Sequence, residues 1–132
     1  MRLQNKVAVI TGAASGFGAG TARLFATEGA AVVVADISDE AGESVADSIN
    51  TSGGKAVYVH ADVTSRDDTR SMIDAAEKLG GRLDILINNA GYSHPNKEFA
   101  TVTDHEFDRV YDVNVKAVFI AIQEALPVFR RN

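Results

Sequence analysis

Four short apolar runs punctuate the chain at nearly regular intervals: "VAVI" at Val7–Ile10, "AVVVA" at Ala31–Ala35, "AVYVH" at Ala56–His60 and "LDILI" at Leu83–Ile87. Each has the length and β-branched content of a strand covered on both faces. The segments between them carry helical spacing instead. One helix is predicted from about Gly16 towards Glu28. Ser38, followed by Asp39 and Glu40, opens a second that Gly53-Gly54 closes. Ser65 and Asp68 form a capping pair ahead of Met72, Ile73, Ala75, Ala76 and Leu79, which share one helical face, and Gly80-Gly81 ends that segment. Thr103 and Glu106 make a capping-box pattern for a long final helix reaching towards Arg130. Strands alternating with helices of this length predict parallel pairing through right-handed crossovers, and hence an α/β layered sheet.

Composition narrows the chemistry. The 132 residues suit a single domain, 1–132, and a chain of this class buries roughly 68–70% of the surface its unfolded form exposes. There is no cysteine, which excludes a disulfide framework, a thiolate metal site and a cysteine nucleophile; no metal site is expected. Net charge is −5 with both signs interspersed, which argues against a nucleic-acid surface and against an electrostatically held membrane domain. The start "MRLQNKVAVITG" has too few apolar residues for a signal-peptide core, and no later stretch approaches a membrane span. The expected location is the cytoplasm.

The stretch "TGAASGFG", Thr11 to Gly18, stands at the junction of the first strand and first helix. That context distinguishes a phosphate-binding turn from an accidental glycine cluster. One glycine permits the tight turn, another lets the backbone approach a pyrophosphate without an intervening Cβ, and a third permits close packing of helix on strand. Free N–H groups and the dipole at the helix start favour the anion. A purely structural turn is the alternative. The spacing of Gly12, Gly16 and Gly18 is Gly-x-x-x-Gly-x-Gly, and no Lys-Ser or Lys-Thr follows, so the stretch is not a P-loop.

"TGAASGFG" resembles the cofactor turn of the short-chain dehydrogenase/reductase family, with Ser15 and Phe17 inside the matching motif. The resemblance implies a Rossmann-like, doubly wound parallel sheet of four β-α units in the strand order 3-2-1-4, truncated before the fifth strand. Asp36 ends the second strand, 36 − 16 = 20 residues after Gly16. A carboxylate there can accept hydrogen bonds from the adenosine ribose hydroxyls and repel a 2′-phosphate. None of Ala14, Ser15, Phe17 or Ile37 offers a basic side chain to pair with such a phosphate. The expected cofactor is therefore NAD, with a solvated carboxylate as the alternative role for Asp36. In "HADVT" the resemblance places Asp62 and Val63 at the edge of the adenine ring, although Asp62 alone reads as a turn or capping residue. In "NNAG", Asn88 to Gly91, it implies a motif that stabilises the sheet and borders the cofactor, with Asn88, Ala90 and Gly91 as expected contacts.

The final helix presents a stripe of Phe107, Val110, Tyr111, Val118, Ile122 and Leu126, with Asn114 three residues after Tyr111 and four before Val118. A polar amide is thus predicted on a mainly buried face. Without partners it would cost about 1–3 kcal/mol. The resemblance assigns Asn114 to the catalytic set, where it helps hold a water in the proton relay; a structural polar bridge is the alternative. "AVFIAI", Ala117 to Ile122, is apolar around the whole helix, and the family's habit of packing this helix on a second subunit implies a homo-oligomer through Asp104 to Arg130.

The reaction implied by the resemblance is hydride transfer between a nicotinamide and a small-molecule alcohol or carbonyl. Its tyrosine acid/base and the lysine four residues later are not found: Tyr58, Tyr92 and Tyr111 are followed at that distance by Asp62, Asn96 and Val115. The chain alone is therefore expected to be catalytically silent, the adenosine-binding half of an NAD-dependent oxidoreductase. A lost outer neighbour for the fourth strand would leave apolar surface and an open edge, so self-association is expected. A non-catalytic NAD-binding sensor or scaffold is the second reading. A domain handling ATP or a flavin is disfavoured by Asp36 and by the absent P-loop lysine. His94, in the loop "YSHPNKEF", could touch substrate, but a surface-loop histidine is more often inert.

Overall fold

The computed structural model describes residues 1–132. Strands β1 (Val7–Thr11), β2 (Ala31–Asp36), β3 (Lys55–His60) and β4 (Ile85–Ile87) form one parallel sheet in the order β3-β2-β1-β4. Helices α1 (Gly16–Thr27), α2 (Asp39–Thr51) and α3 (Arg66–Gly80) connect them, and α4 (Asp104–Tyr111) and α5 (Ala117–Arg131) follow. This is a Rossmann-like α/β arrangement: the alternation of runs predicts the α/β layering, and the strand order is the one the family resemblance implies.

The period-two alternation of β1 and β2 divides the interior into two layers. Val7, Val9, Val33 and Ala35 face Met72, Ile73 and Ala76 of α3 and Ala121, Ala125 and Val128 of α5. Ile10, Val32 and Val34 face Ala19, Ala22 and Ala26 of α1 and Val45, Ala46 and Ile49 of α2. Because both faces are covered, the two strands are apolar throughout. The small residues of α1 let its backbone lie close to the sheet, which puts its N-terminus directly above the end of β1.

Local signals bound most elements. Ser65 Oγ accepts a hydrogen bond from the Asp68 N–H at 3.2 Å, Thr103 and Glu106 complete a capping box, and Gly81 closes α3 in the left-handed conformation at φ 75°. Glu106 also pairs with Lys97, which together with the capping bonds holds its carboxyl at about 2. Ser38 occupies the N-cap position of α2 without a capping bond from its side chain.

Three sequence expectations need correction here. The fourth strand begins at Ile85 and not at Leu83: the Asp84 N–H still donates to the Val7 carbonyl, but the Val7 N–H, which a ladder would pair with a backbone carbonyl, is taken by the Asp84 side chain. Its Oδ2 accepts from the Val7 N–H at 2.9 Å and its carboxyl also binds Arg82, whose guanidinium holds it below the usual carboxylate range. The long final helix is interrupted by a π-helical segment, Asp112–Lys116, so α4 and α5 are separate. Its buried face is also not the predicted one. Val113, Ala117, Ile120, Ala121, Ala125 and Val128 are buried, whereas Phe107, Tyr111, Ile122 and Leu126 are exposed. Small side chains allow α5 to approach α3, and Arg66 and Arg70 then reach Glu124 at 3.0 and 3.1 Å; the bulky residues are left on the outside.

Candidate functional site

The glycine turn closes on the end of β4. Thr11, buried at the end of β1, accepts hydrogen bonds at its Oγ1 from the N–H groups of Asn89 and Ala90, both at 3.0 Å. The Asn89 amide nitrogen donates to the carbonyls of Thr11 and Gly12 at 3.1 and 3.2 Å. Gly12 has φ +62°, and a Cβ there would stand 2.9 Å from the Ala90 Cα. At Gly18 a Cβ would collide with the Gly12 carbonyl oxygen and meet the Asn89 amide nitrogen at 2.5 Å. Two of the three glycines thus permit close approach between β1, α1 and the segment after β4.

This packing leaves an anion-receptive helix start facing outward. Ser15 is the N-cap of α1, and the Ala19 N–H makes a ladder bond to the Ser15 carbonyl at 3.1 Å. The N–H groups of Gly16, Phe17 and Gly18 precede that bond, at the positive end of the helix dipole. No acidic residue occupies the first turn of α1, so nothing in the chain competes for those donors by charge.

Asp36 reaches the turn from the neighbouring strand end. Its Oδ2 accepts from the Ala14 N–H and its Oδ1 from the Ser38 N–H, each at 3.0 Å. An ionised carboxylate has about four acceptor positions, so each oxygen keeps capacity for a further donor. Asp62 is occupied differently. It accepts from the hydroxyl and the N–H of Thr64 at 2.7 and 2.9 Å. The Thr64 hydroxyl bond is the main reason its carboxyl lies below the ordinary range, with smaller contributions from the charges of Arg109 and His60. The Asp62 carboxylate therefore serves the turn, while the residue also borders the cleft.

These elements enclose a cleft of about 400 Å³ at the carboxyl ends of the strands. Of the expected residues, Gly12, Ser15, Phe17, Asp36, Ile37, Asp62, Val63, Ala90 and Gly91 line it. Gly16 and Gly18 form the turn without lining the cleft. Asn88 is exposed, makes no side-chain hydrogen bond and lies outside the cleft; the neighbouring asparagine, Asn89, makes the bonds that join the turn to β4. Adjacent side chains at a strand end fall on opposite faces of the sheet, and Asn89 is the one on the face that carries the glycine turn.

Asn114 departs from its expected environment. It is exposed on the π-helical segment, and its amide clamps the backbone of Tyr92: the Tyr92 N–H donates to Oδ1 at 2.9 Å and Nδ2 donates to the Tyr92 carbonyl at 2.8 Å. The polar group is thus satisfied by a loop backbone, as a bridge between α4–α5 and the loop after β4. Tyr92, Arg109 and Val113 complete the cleft on that side. None of these three was singled out as a site residue by sequence, and the Tyr92–Asn114 bond joins residues 22 apart. The His94 ring bonds only to the neighbouring Pro95 carbonyl.

A dinucleotide fits this donor set: uncommitted N–H groups at a helix start, a carboxylate at the adjacent strand end, and glycine backbone where a Cβ would intrude. No helix is long and apolar enough to cross a membrane.

Comparison with known proteins agrees with the geometry. The family described as short chain dehydrogenase matches residues 6–132. The chain is 45% identical over 130 residues to secoisolariciresinol dehydrogenase of Forsythia intermedia, covering 96% of this chain and 46% of that protein. It is 47% identical over 129 residues to a 4-formylbenzenesulfonate dehydrogenase of Comamonas testosteroni, covering 98% of this chain and 51% of the relative. Among solved structures, a hydroxysteroid dehydrogenase from Escherichia coli superposes with a TM-score of 0.92 at 40% identity, over 99% of this chain and 55% of that one. The chain spans about half the length of the curated relatives it matches.

Proposed function

The chain belongs to the short-chain dehydrogenase family, and from that premise we propose that it forms the adenosine-binding part of an NAD-dependent oxidoreductase acting on an alcohol or carbonyl. The observation that carries the reading is Asp36, tied to the glycine turn through the Ala14 N–H and to the start of α2 through the Ser38 N–H. Held between these two donors, the carboxylate has little rotational freedom left to lose on binding a ribose diol. Its charge opposes a 2′-phosphate, and Ile37 and Ser38 beside it bring no compensating cation.

The residues would divide the cofactor between them. The N–H groups at the start of α1 would receive the pyrophosphate, Asp36 the adenosine ribose, and Ile37, Asp62 and Val63 the adenine. When bound, the nicotinamide supplies or accepts a hydride. The residues described do not include a Tyr-x-x-x-Lys pair for the accompanying proton, so these 132 residues are read as binding and orienting the cofactor without completing the proton transfer. Asn114 acts here by holding Tyr92, and through it the backbone beside Gly91.

Titration calorimetry with NAD, NADP and AMP tests this. The chain is expected to bind NAD and AMP, with NADP weaker by roughly tenfold or more, the scale of one charged hydrogen bond. Asp36→Ala is expected to weaken NAD and bring the two cofactors within about threefold of one another, since both the ribose bonds and the repulsion are removed. Equal affinity for NAD and NADP in the unsubstituted chain would overturn the assignment.

We also propose self-association through α4 and α5. Phe107, Tyr111, Val115, Phe119, Ile122 and Leu126 are 40–65% exposed and follow one another three or four residues apart, an exposed apolar stripe of the kind that marks an interaction surface. Sedimentation velocity is expected to show a dimer or larger species that Phe119→Glu shifts to monomer. A chain that stays monomeric at high concentration would contradict this.

A further inference from the structure

We propose that Arg109 recognises the adenine base of the bound nucleotide, covering it with its guanidinium; this rests on the cofactor reading above and adds a residue to that site. Arg109 is the only lysine or arginine lining the cleft. It is half-buried on α4, takes part in no ion pair, and donates no side-chain hydrogen bond. Its five N–H donors are therefore uncommitted at the wall of a cavity, although the other partly buried arginines, Arg66 and Arg82, have carboxylate partners.

The Arg109 guanidinium meets an aromatic ring instead. Its guanidinium carbon lies 5.5 Å from the centroid of the Tyr92 ring, within the range of a cation–π contact. A planar guanidinium has two faces, and a ring on one side holds the other available for a second ring. Tyr92 is itself held by the two hydrogen bonds of Asn114. Those bonds fix the backbone of Tyr92 at the π-helical segment, so the residue that carries the ring is anchored there before any ligand arrives.

Charge selects the base over the phosphate as the partner. Arg109 is close enough to Asp62 to act on its carboxyl, so an anion drawn to the guanidinium would also meet a carboxylate. A neutral, electron-rich purine avoids that conflict, and its exocyclic amine presents donors towards the Asp62 side. The anionic part of the ligand has its own place at the start of α1, across the cleft.

The test uses the 132-residue chain, with Arg109→Met and Arg109→Gln, titrated with adenosine, AMP and NAD; circular dichroism confirms that each variant keeps the fold. Both variants are expected to weaken all three ligands by a similar factor, between about 2- and 30-fold, the span of cation–π contacts from exposed to desolvated. Weaker AMP and NAD with unchanged adenosine would mean that Arg109 pairs with phosphate and would overturn the proposal. So would unchanged affinity for all three ligands, an outcome that leaves the cofactor reading intact. If the unsubstituted chain binds none of them, this proposal and the cofactor reading fall together.

Discussion

Gly18→Val is expected to destabilise the chain by about 3 kcal/mol, at the upper end of the range for overpacking a close contact. The position is buried, and a Cβ there collides with the Gly12 carbonyl and the Asn89 amide. Both are held in place from the other side, the first by the turn at φ +62° and the second by its bonds to the carbonyls of Thr11 and Gly12. Neither neighbour is the free end of a flexible side chain, so α1 itself must move away from β1. That displacement would carry the N–H groups of Gly16 and Phe17 with it, so nucleotide affinity should fall along with stability. Urea unfolding measures the first effect: with a slope of about 1–3 kcal/mol per M, the midpoint should drop by at least about 1 M. Gly20→Ala is the contrasting substitution. A Cβ at Gly20 meets nothing within 4 Å, and exchanging an exposed helical glycine for alanine should stabilise by about 0.5–1 kcal/mol. A Gly18→Val chain with an unchanged midpoint would show that the close approach does not constrain the fold.

Asn89→Ala should cost about 2 kcal/mol, because it removes the donor shared by two part-buried carbonyls and leaves both without it. The loss falls on the junction between β1 and the segment after β4, where Gly12 and Ala90 approach most closely. Asn88→Ala, one residue earlier, removes an exposed side chain without hydrogen bonds and should stay within about 0.5 kcal/mol of the unsubstituted chain. Chemical denaturation of the two variants side by side decides the matter. Equal effects would mean that Asn89 is dispensable to the turn, whereas a large loss confined to Asn89 ties the "NNAG" motif to the glycine turn through one side chain.

That pair of asparagines illustrates how far the sequence could be read. The motif and its position after the fourth run were legible, and so was its neighbourhood, because strand ends in a doubly wound sheet gather on one side. Which asparagine turns towards β1 was not legible. It depends on the phase of β4, and Asp84 shortens that strand by replacing a backbone acceptor with its own carboxylate. Asp62 was legible on both counts: its place at the cleft follows from the end of β3, and its carboxylate binds Thr64 two residues on, the local turn read from the sequence.

The final helices were the least legible region. Hydrophobic periodicity identifies apolar faces but does not rank them, and α4 and α5 carry two. The bulky stripe through Phe107, Tyr111 and Ile122 looked like the core, but the alanines at 117, 121 and 125 are what the sheet and α3 accept. Close helix packing rewards small side chains at the contact, and a π-helical turn shifts the phase of everything after it. Asn114 consequently lies at the surface, where it meets a loop backbone.

The sequence by itself determined the number of the strands and their alternation with helices, the turn that joins β1 to α1, and the carboxylate that meets it. These are encoded locally, in runs of four or five residues, in glycines that permit a particular backbone, and in caps three residues apart. The tertiary structure alone decided which face of α5 is buried, that Asn89 and not Asn88 closes the turn, and that Asn114 holds Tyr92 beside Arg109 at the wall of the cleft. Those contacts join residues distant in the chain, and their energies depend on how closely two backbones approach, a distance that no local pattern specifies.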